Sequence, residues 1–154
     1  DVVNYDKFKI FLPKANGSGS FGEVISQPLI AEPKTGSTET FLSIGIFNSI
    51  EEAENCLKYI KCKVSRAMLG VLKTTQDLTP DKWKYVPLQD FSALSDIDWS
   101  KSIHEIDLQL YHKYVYFSHH PDFSKVDRAH HRLRQHKHTN NCILNWSYLL
   151  DRTF

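Results

Sequence analysis

The chain has 154 residues, 41% of them hydrophobic and 24% charged, with a formal net charge of +1, the profile of one soluble-type domain long enough to bury a core. No apolar run approaches the roughly 18 residues of a membrane-spanning helix, and the opening DVVNYDKFKIFLP lacks the basic-then-apolar order of a secretory signal. Its three cysteines, Cys56, Cys62 and Cys142, form no CxxC pair, which argues against a disulfide scaffold and for the reducing cytoplasm.

The first residue is not Met, and Met68 is the only methionine, so the chain is expected to be a segment of a longer protein. Charge is unevenly spread. Residues 1–57 carry a net −4, 58–84 a net +5, 85–110 a net −4 and 111–154 a net +4. Basic blocks alternating with acidic ones point to a polyanionic partner or to solvated helix faces.

In chain order, KFKIFLP (7–13) alternates, with Phe8, Ile10 and Leu12 on one face and Lys7, Lys9 and Phe11 on the other. Period two predicts a half-buried strand ending at Pro13. ANGSGSFGE (15–23) is a glycine-rich loop, and VISQPLIAEP (24–33), with its prolines, reads as an edge strand. ETFLSIGIF (39–47) is a further strand, with Phe41, Ser43, Gly45 and Phe47 opposite Leu42, Ile44 and Ile46.

Ser49-Ile-Glu-Glu52 fits a capping box. The recurrence of Ile50, Ala53, Leu57, Ile60, Val64, Ala67 or Met68, and Val71 predicts one amphipathic helix running to about Lys73. Lys58, Arg66 and Lys73 fall opposite that stripe at about 100° per residue and are expected to project outward. Pro80 and Pro87 bracket a short strand predicted at WKYV (83–86). Ser102-Ile-His-Glu105 is a second capping box, opening a short helix with Ile103, Ile106, Leu110 and Tyr114 on one face. Beyond Tyr114 the pattern changes, and all eight histidines lie between His104 and His138. Strands, then a long helix, then mixed pieces predict an α+β fold, with a small mixed or antiparallel sheet, one long amphipathic helix and shorter helices.

Several motifs invite chemistry. Gly17-Ser-Gly-Ser-Phe-Gly-Glu-Val24 matches a kinase glycine loop, but no V-A-I-K lysine, catalytic-loop aspartate or D-F-G accompanies it. The loop reads instead as a turn whose backbone N–H groups and small hydroxyls can approach a phosphate backbone. His136 and His138 with Cys142 are weak candidate metal ligands, without a second pair at finger spacing. Asp96 and Asp98 belong more naturally to a turn than to a metal site.

ETFLSIGIF, EEAENCLKYIKCKVSRAML, LKTTQDLTPDKWKYVPLQDFS and DIDWSKSIHEIDLQLYHKY resemble the C-terminal segment of bacterial adenine-specific DNA methyltransferases of type II restriction–modification systems, and of related restriction enzymes. The resemblance spans about residues 7–114. Its most specific part is Lys73-Thr74-Thr75-Gln76 followed by Val86-Pro-Leu-Gln-Asp-Phe-Ser92. It implies a target-recognition domain (1–114) that holds duplex DNA beside an N-terminal methyltransferase domain of the parent chain. S-adenosylmethionine, with Mg as a second candidate, would then belong to the parent enzyme, and this segment would hold no cofactor. N-P-P-Y-type and cofactor-glycine motifs are absent from the sequence, so the segment is expected to be non-catalytic. Residues 115–154 depart from the family and form a His-rich extension, either a divergent addition or a frameshifted reading of the ancestral gene.

The residue chemistry agrees with that role. Lys58, Arg66, Lys73, Lys82 and Lys84 are candidate phosphate contacts. Thr74, Thr75 and Gln76 sit where a loop can enter a groove, and Gln76 suits an adenine edge. Lys14, Asn16 and Ser18 extend the candidate DNA surface onto the glycine-rich loop. The rival readings are a metal-dependent nuclease built on the histidine-rich tail and a module that docks subunits of a restriction complex.

Overall fold

The computed structural model describes residues 4–114; the extension 115–154, with His136, His138 and Cys142, lies outside the described residues. The fold is α+β. Strands β1 (Phe8–Pro13), β2 (Leu29–Ala31) and β3 (Phe41–Phe47) form an antiparallel sheet in the order β2-β1-β3. Helices α1 (Ile50–Lys61), α2 (Lys63–Gly70) and α3 (Ile103–Tyr114) follow, with a short 3-10 helix at Pro80–Tyr85 between α2 and α3.

β1 is central and is covered on both faces, so the expected half-buried alternation is corrected. Ile10 and Leu12 enter the core, while Lys9 and Phe11 are also buried. The Lys9 ammonium donates to the carbonyls of Asn4 (3.1 Å) and Lys7 (3.2 Å), supplied by the segment that folds over that face. Burial lowers its pKa, with Asp6 opposing, because desolvation disfavours the charged form.

β3 changes phase partway along. Gly45 has φ +84°, and the register with β1 slips from Ile10↔Ile44 to Phe8↔Phe47. Such a bulge needs a residue tolerant of positive φ. The slip brings Phe47 into the core beside Leu42 and Ile44, although simple alternation puts it on the opposite face.

The single predicted helix is two. At Cys62 the backbone becomes extended (φ −64°, ψ 147°). The Ser65 hydroxyl lies 2.6 Å from the Tyr59 carbonyl and 3.1 Å from that of Ile60, satisfying the end of α1. The Asp107 carboxylate of α3 accepts from Lys63 N (2.9 Å) and Val64 N (3.1 Å) and so caps α2 from 44 residues away. Ile50 and Val71, expected in the apolar stripe, are exposed, whereas Cys56, Tyr59 and Leu69 are buried.

The expected strand 83–86 is also corrected: Pro80–Tyr85 is a 3-10 helix packed on α2. Proline in its first turn presets φ, and Trp83 buries its ring as the anchor.

Between the helices lies an aromatic cluster. Phe91 stands 5.3 Å from Trp99, 5.9 Å from Tyr59 and 6.0 Å from Phe47, centroid to centroid. The Tyr59 hydroxyl donates to the Pro87 carbonyl (2.6 Å) and Trp99 Nε1 to that of Asp90 (2.9 Å). The buried Gln89 amide donates to the Tyr114 hydroxyl (2.7 Å) and its oxygen accepts from Lys113 (3.2 Å). The Val86–Ser92 motif is therefore a structural splice that ties α1 to α3.

Candidate nucleic-acid interface

The sequence nominates two surfaces, the outer face of the long helix and the glycine-rich loop with its neighbour at Thr74–Gln76. The structure packs part of one against the other, with Arg66 and Lys73 bonded to the glycine-rich loop.

The helix face is not a free row of cations. Lys58 donates to the Trp99 carbonyl at 2.6 Å, and Arg66 donates to the Gly22 carbonyl at 3.0 Å. Lys73, at 3% side-chain exposure, pairs with Glu23 and donates to the Thr75 carbonyl at 3.1 Å. The expectation that these three project outward is corrected, because segments 90–101 and 16–23 fold over them. Their partners stand 41, 44 and 50 residues away, beyond the reach of a helical-wheel reading. Asn16 is likewise buried and inward-facing. Its amide donates to the Ser26 carbonyl (2.9 Å) and accepts from Ser26 N (3.0 Å).

What these buried groups build is a fixed junction of two loops. Asn16 N donates to the Gln76 carbonyl (2.8 Å) and Leu78 N to the Lys14 carbonyl (2.7 Å), on either side of an antiparallel bridge between Ala15 and Asp77. This pairing continues β1 onto the chain leaving α2. Gly19 (φ +92°) lies so close to the second loop that a Cβ there would stand 2.8 Å from the Thr74 carbonyl oxygen, which only glycine allows.

Glu23 closes the junction. Its carboxylate accepts from Lys73, from Ser18 N (2.7 Å), from Gly19 N (2.9 Å) and from the Ser18 hydroxyl (3.1 Å). Lys73 first, then these loop donors, hold the carboxyl down at about 2, since each favours the charged form.

On this base Ser18, Ser20, Thr74, Thr75 and Gln76 are exposed, offering hydroxyl and amide groups from a backbone already fixed. Lys14 and Lys82 are partly exposed and Lys84 is exposed. Lys82 lies 3.5 Å from the Asp81 carboxylate, and the Lys84 ammonium 5.8 Å from the Tyr85 ring centroid. Lys61 and Lys63, at the α1–α2 break, are also exposed. The residue the sequence reading missed is Glu23: its acceptor role depends on the loop curling back over five residues and on Lys73 arriving from α2.

Among the described residues no three His, Cys, Asp or Glu side chains group as a metal site, and no helix is long and apolar enough to cross a membrane. Neither a protein-family model, nor a curated protein, nor a solved structure matches the chain.

Proposed function

We propose that this chain is a DNA target-recognition module that binds duplex DNA through the joined loops 14–23 and 73–78, while a methyltransferase domain elsewhere in a parent protein carries S-adenosylmethionine and the chemistry. The observation that supports the reading is the junction itself. Recognition needs donors and acceptors of the Gln, Thr and Ser type held in register against base edges, with cations nearby for phosphates. Gln76, Thr74 and Thr75 stand exposed on a loop whose backbone is pinned to β1, with Ser18 and Ser20 alongside. Fixing the backbone beforehand lowers the ordering cost of binding. In this reading Lys14, Lys82 and Lys84, with Lys61 and Lys63, supply phosphate contacts, while Lys58, Arg66, Lys73 and Asn16 act by shaping the surface.

One observation favours a second reading, protein docking: Phe21 and Val24, on the glycine-rich loop, are 71% and 69% exposed. The nuclease reading rests on His136 and His138, outside the described residues.

Fluorescence anisotropy with labelled duplex DNA over a range of salt separates the two. A DNA module contacting several phosphates loses affinity with a log–log slope of about 0.9 per phosphate neutralised. A flat salt response, or no binding at low salt, sinks the DNA reading and leaves docking.

A further inference from the structure

The groups that converge on Glu23 are those that commonly hold an external oxyanion. Successive backbone N–H groups in a loop with positive-φ glycines make a concave nest for anions. Here Gly17 has φ +75° and Gly19 +92°, and the N–H groups of Ser18 and Gly19 point at one spot, at 2.7 and 2.9 Å from the Glu23 oxygens. A hydroxyl (Ser18, 3.1 Å) and an ammonium (Lys73) complete the ring. A Cβ at Gly17 would overlap the Glu23 carboxyl, so glycine at 17 is what leaves room for an anion.

Lys73 has 3% side-chain exposure, but Glu23 has 16%. The carboxylate is therefore the solvent side of the pair and can leave outward. It is followed by the exposed Val24 and preceded by Gly22, where φ is +68° and a Cβ would meet nothing within 4 Å.

We propose that the Ser18–Gly19–Lys73 cradle is a phosphate-binding site that Glu23 occupies as an internal stand-in, and that a phosphate group of the ligand displaces it. The exchange replaces one anion by another on the same four donors and needs no covalent step. Because Gly19 abuts Thr74 and Lys73 donates to the Thr75 carbonyl, the anion seated in the cradle is mechanically continuous with the loop carrying Gln76. The cradle itself follows from geometry; assigning the phosphate to a DNA backbone rests on the target-recognition reading.

The test uses the full chain, isotope-labelled, titrated with inorganic phosphate against chloride at constant ionic strength, with amide shifts of Ser18 and Gly19 as the readout. In E23A and E23Q these amides are expected to shift saturably at phosphate concentrations at least tenfold below those the unmodified chain requires, and E23A/K73A is expected to lose the response. Equal, unsaturable shifts in all four proteins overturn the cradle. Should E23A fail to fold, phosphate must restore its dispersed spectrum; no restoration together with an unresponsive E23Q also overturns it.

A second arm measures duplex DNA. Tighter binding by E23A than by the unmodified chain, with a salt slope steeper by about 0.9, assigns the cradle to backbone phosphodiesters. A phosphate response with unchanged duplex affinity assigns it to a free phosphate group instead. Duplex binding by the unmodified chain, with no phosphate response in any variant, removes the cradle and leaves the recognition reading standing.

Discussion

Gln76 is the residue on which base reading turns in this account. Its carbonyl is held by Asn16 N at 2.8 Å, which leaves the exposed amide side chain as the variable part. Gln76→Ala is expected to relax preference at a single base position by ~1–3 kcal/mol, measured by competition among duplexes that differ there. Equal weakening on every sequence would reassign Gln76 to backbone contact. Glu23 carries a pH signature. Its carboxyl is lowered from 4.5 to about 2, so the ionised form stabilises the folded loop fully above the unfolded value. That contribution is lost as pH falls through about 2. Urea titrations between those values are expected to show the unmodified chain losing more stability than E23Q. Parallel losses would mean that the clamp contributes nothing. Glu23 also marks where residue-level reading of the sequence stops. Gln76, Thr74 and Thr75 are legible as polar residues after a helix, but Lys73 looks like one more surface cation until its partner 50 residues away is known.

At the scale of elements, local signals succeeded and distant ones failed. Both predicted N-caps form, with Glu52 N donating to Ser49 Oγ (3.3 Å) and Glu105 N to Ser102 Oγ (3.3 Å), but only the second closes as a full box, Ser102 N donating to Glu105 (3.0 Å). Each needs only residues three apart. In the first, the Glu52 carboxylate reaches Asn48 N (3.0 Å), one residue before the expected partner. The break at Cys62 depends on Asp107, whose cap comes from α3, so hydrophobic spacing alone runs the two helices together. Asp107→Ala is expected to cost ~1 kcal/mol, as for the loss of an N-cap, and to speed amide exchange at Lys63 and Val64. Asp107→Asn, which keeps one of the two acceptor oxygens, should cost less than the alanine change. Undiminished stability in the alanine variant would place the cause of the break in Ser65 alone. The phase change at Gly45 and the 3-10 helix in place of a strand have the same origin: tertiary packing of Phe47 and Trp83 overrides a pattern that is correct over shorter windows.

For the whole molecule, the core formed by β1, β3, α1, α2 and α3 lies within residues 10–110, and α3 is tied back through Lys113 and Tyr114 to Gln89. Truncation after Tyr114 is therefore expected to preserve cooperative unfolding and salt-dependent duplex binding. Loss of the fold would show that residues 115–154 contribute to it. The α+β class was legible from element order, because strand and helix periods differ and do not depend on distant partners. The candidate surface was only half legible, since the loops stand out by composition while the covering of the helix cations does not. The central claim is that the joined loops read DNA sequence. Its most direct test is selection of the full chain on a random duplex pool at low and moderate salt, followed by sequencing of the bound molecules. Enrichment of a short motif, lost or broadened in Gln76→Ala, is the predicted result; absence of any DNA retention at low salt would contradict it.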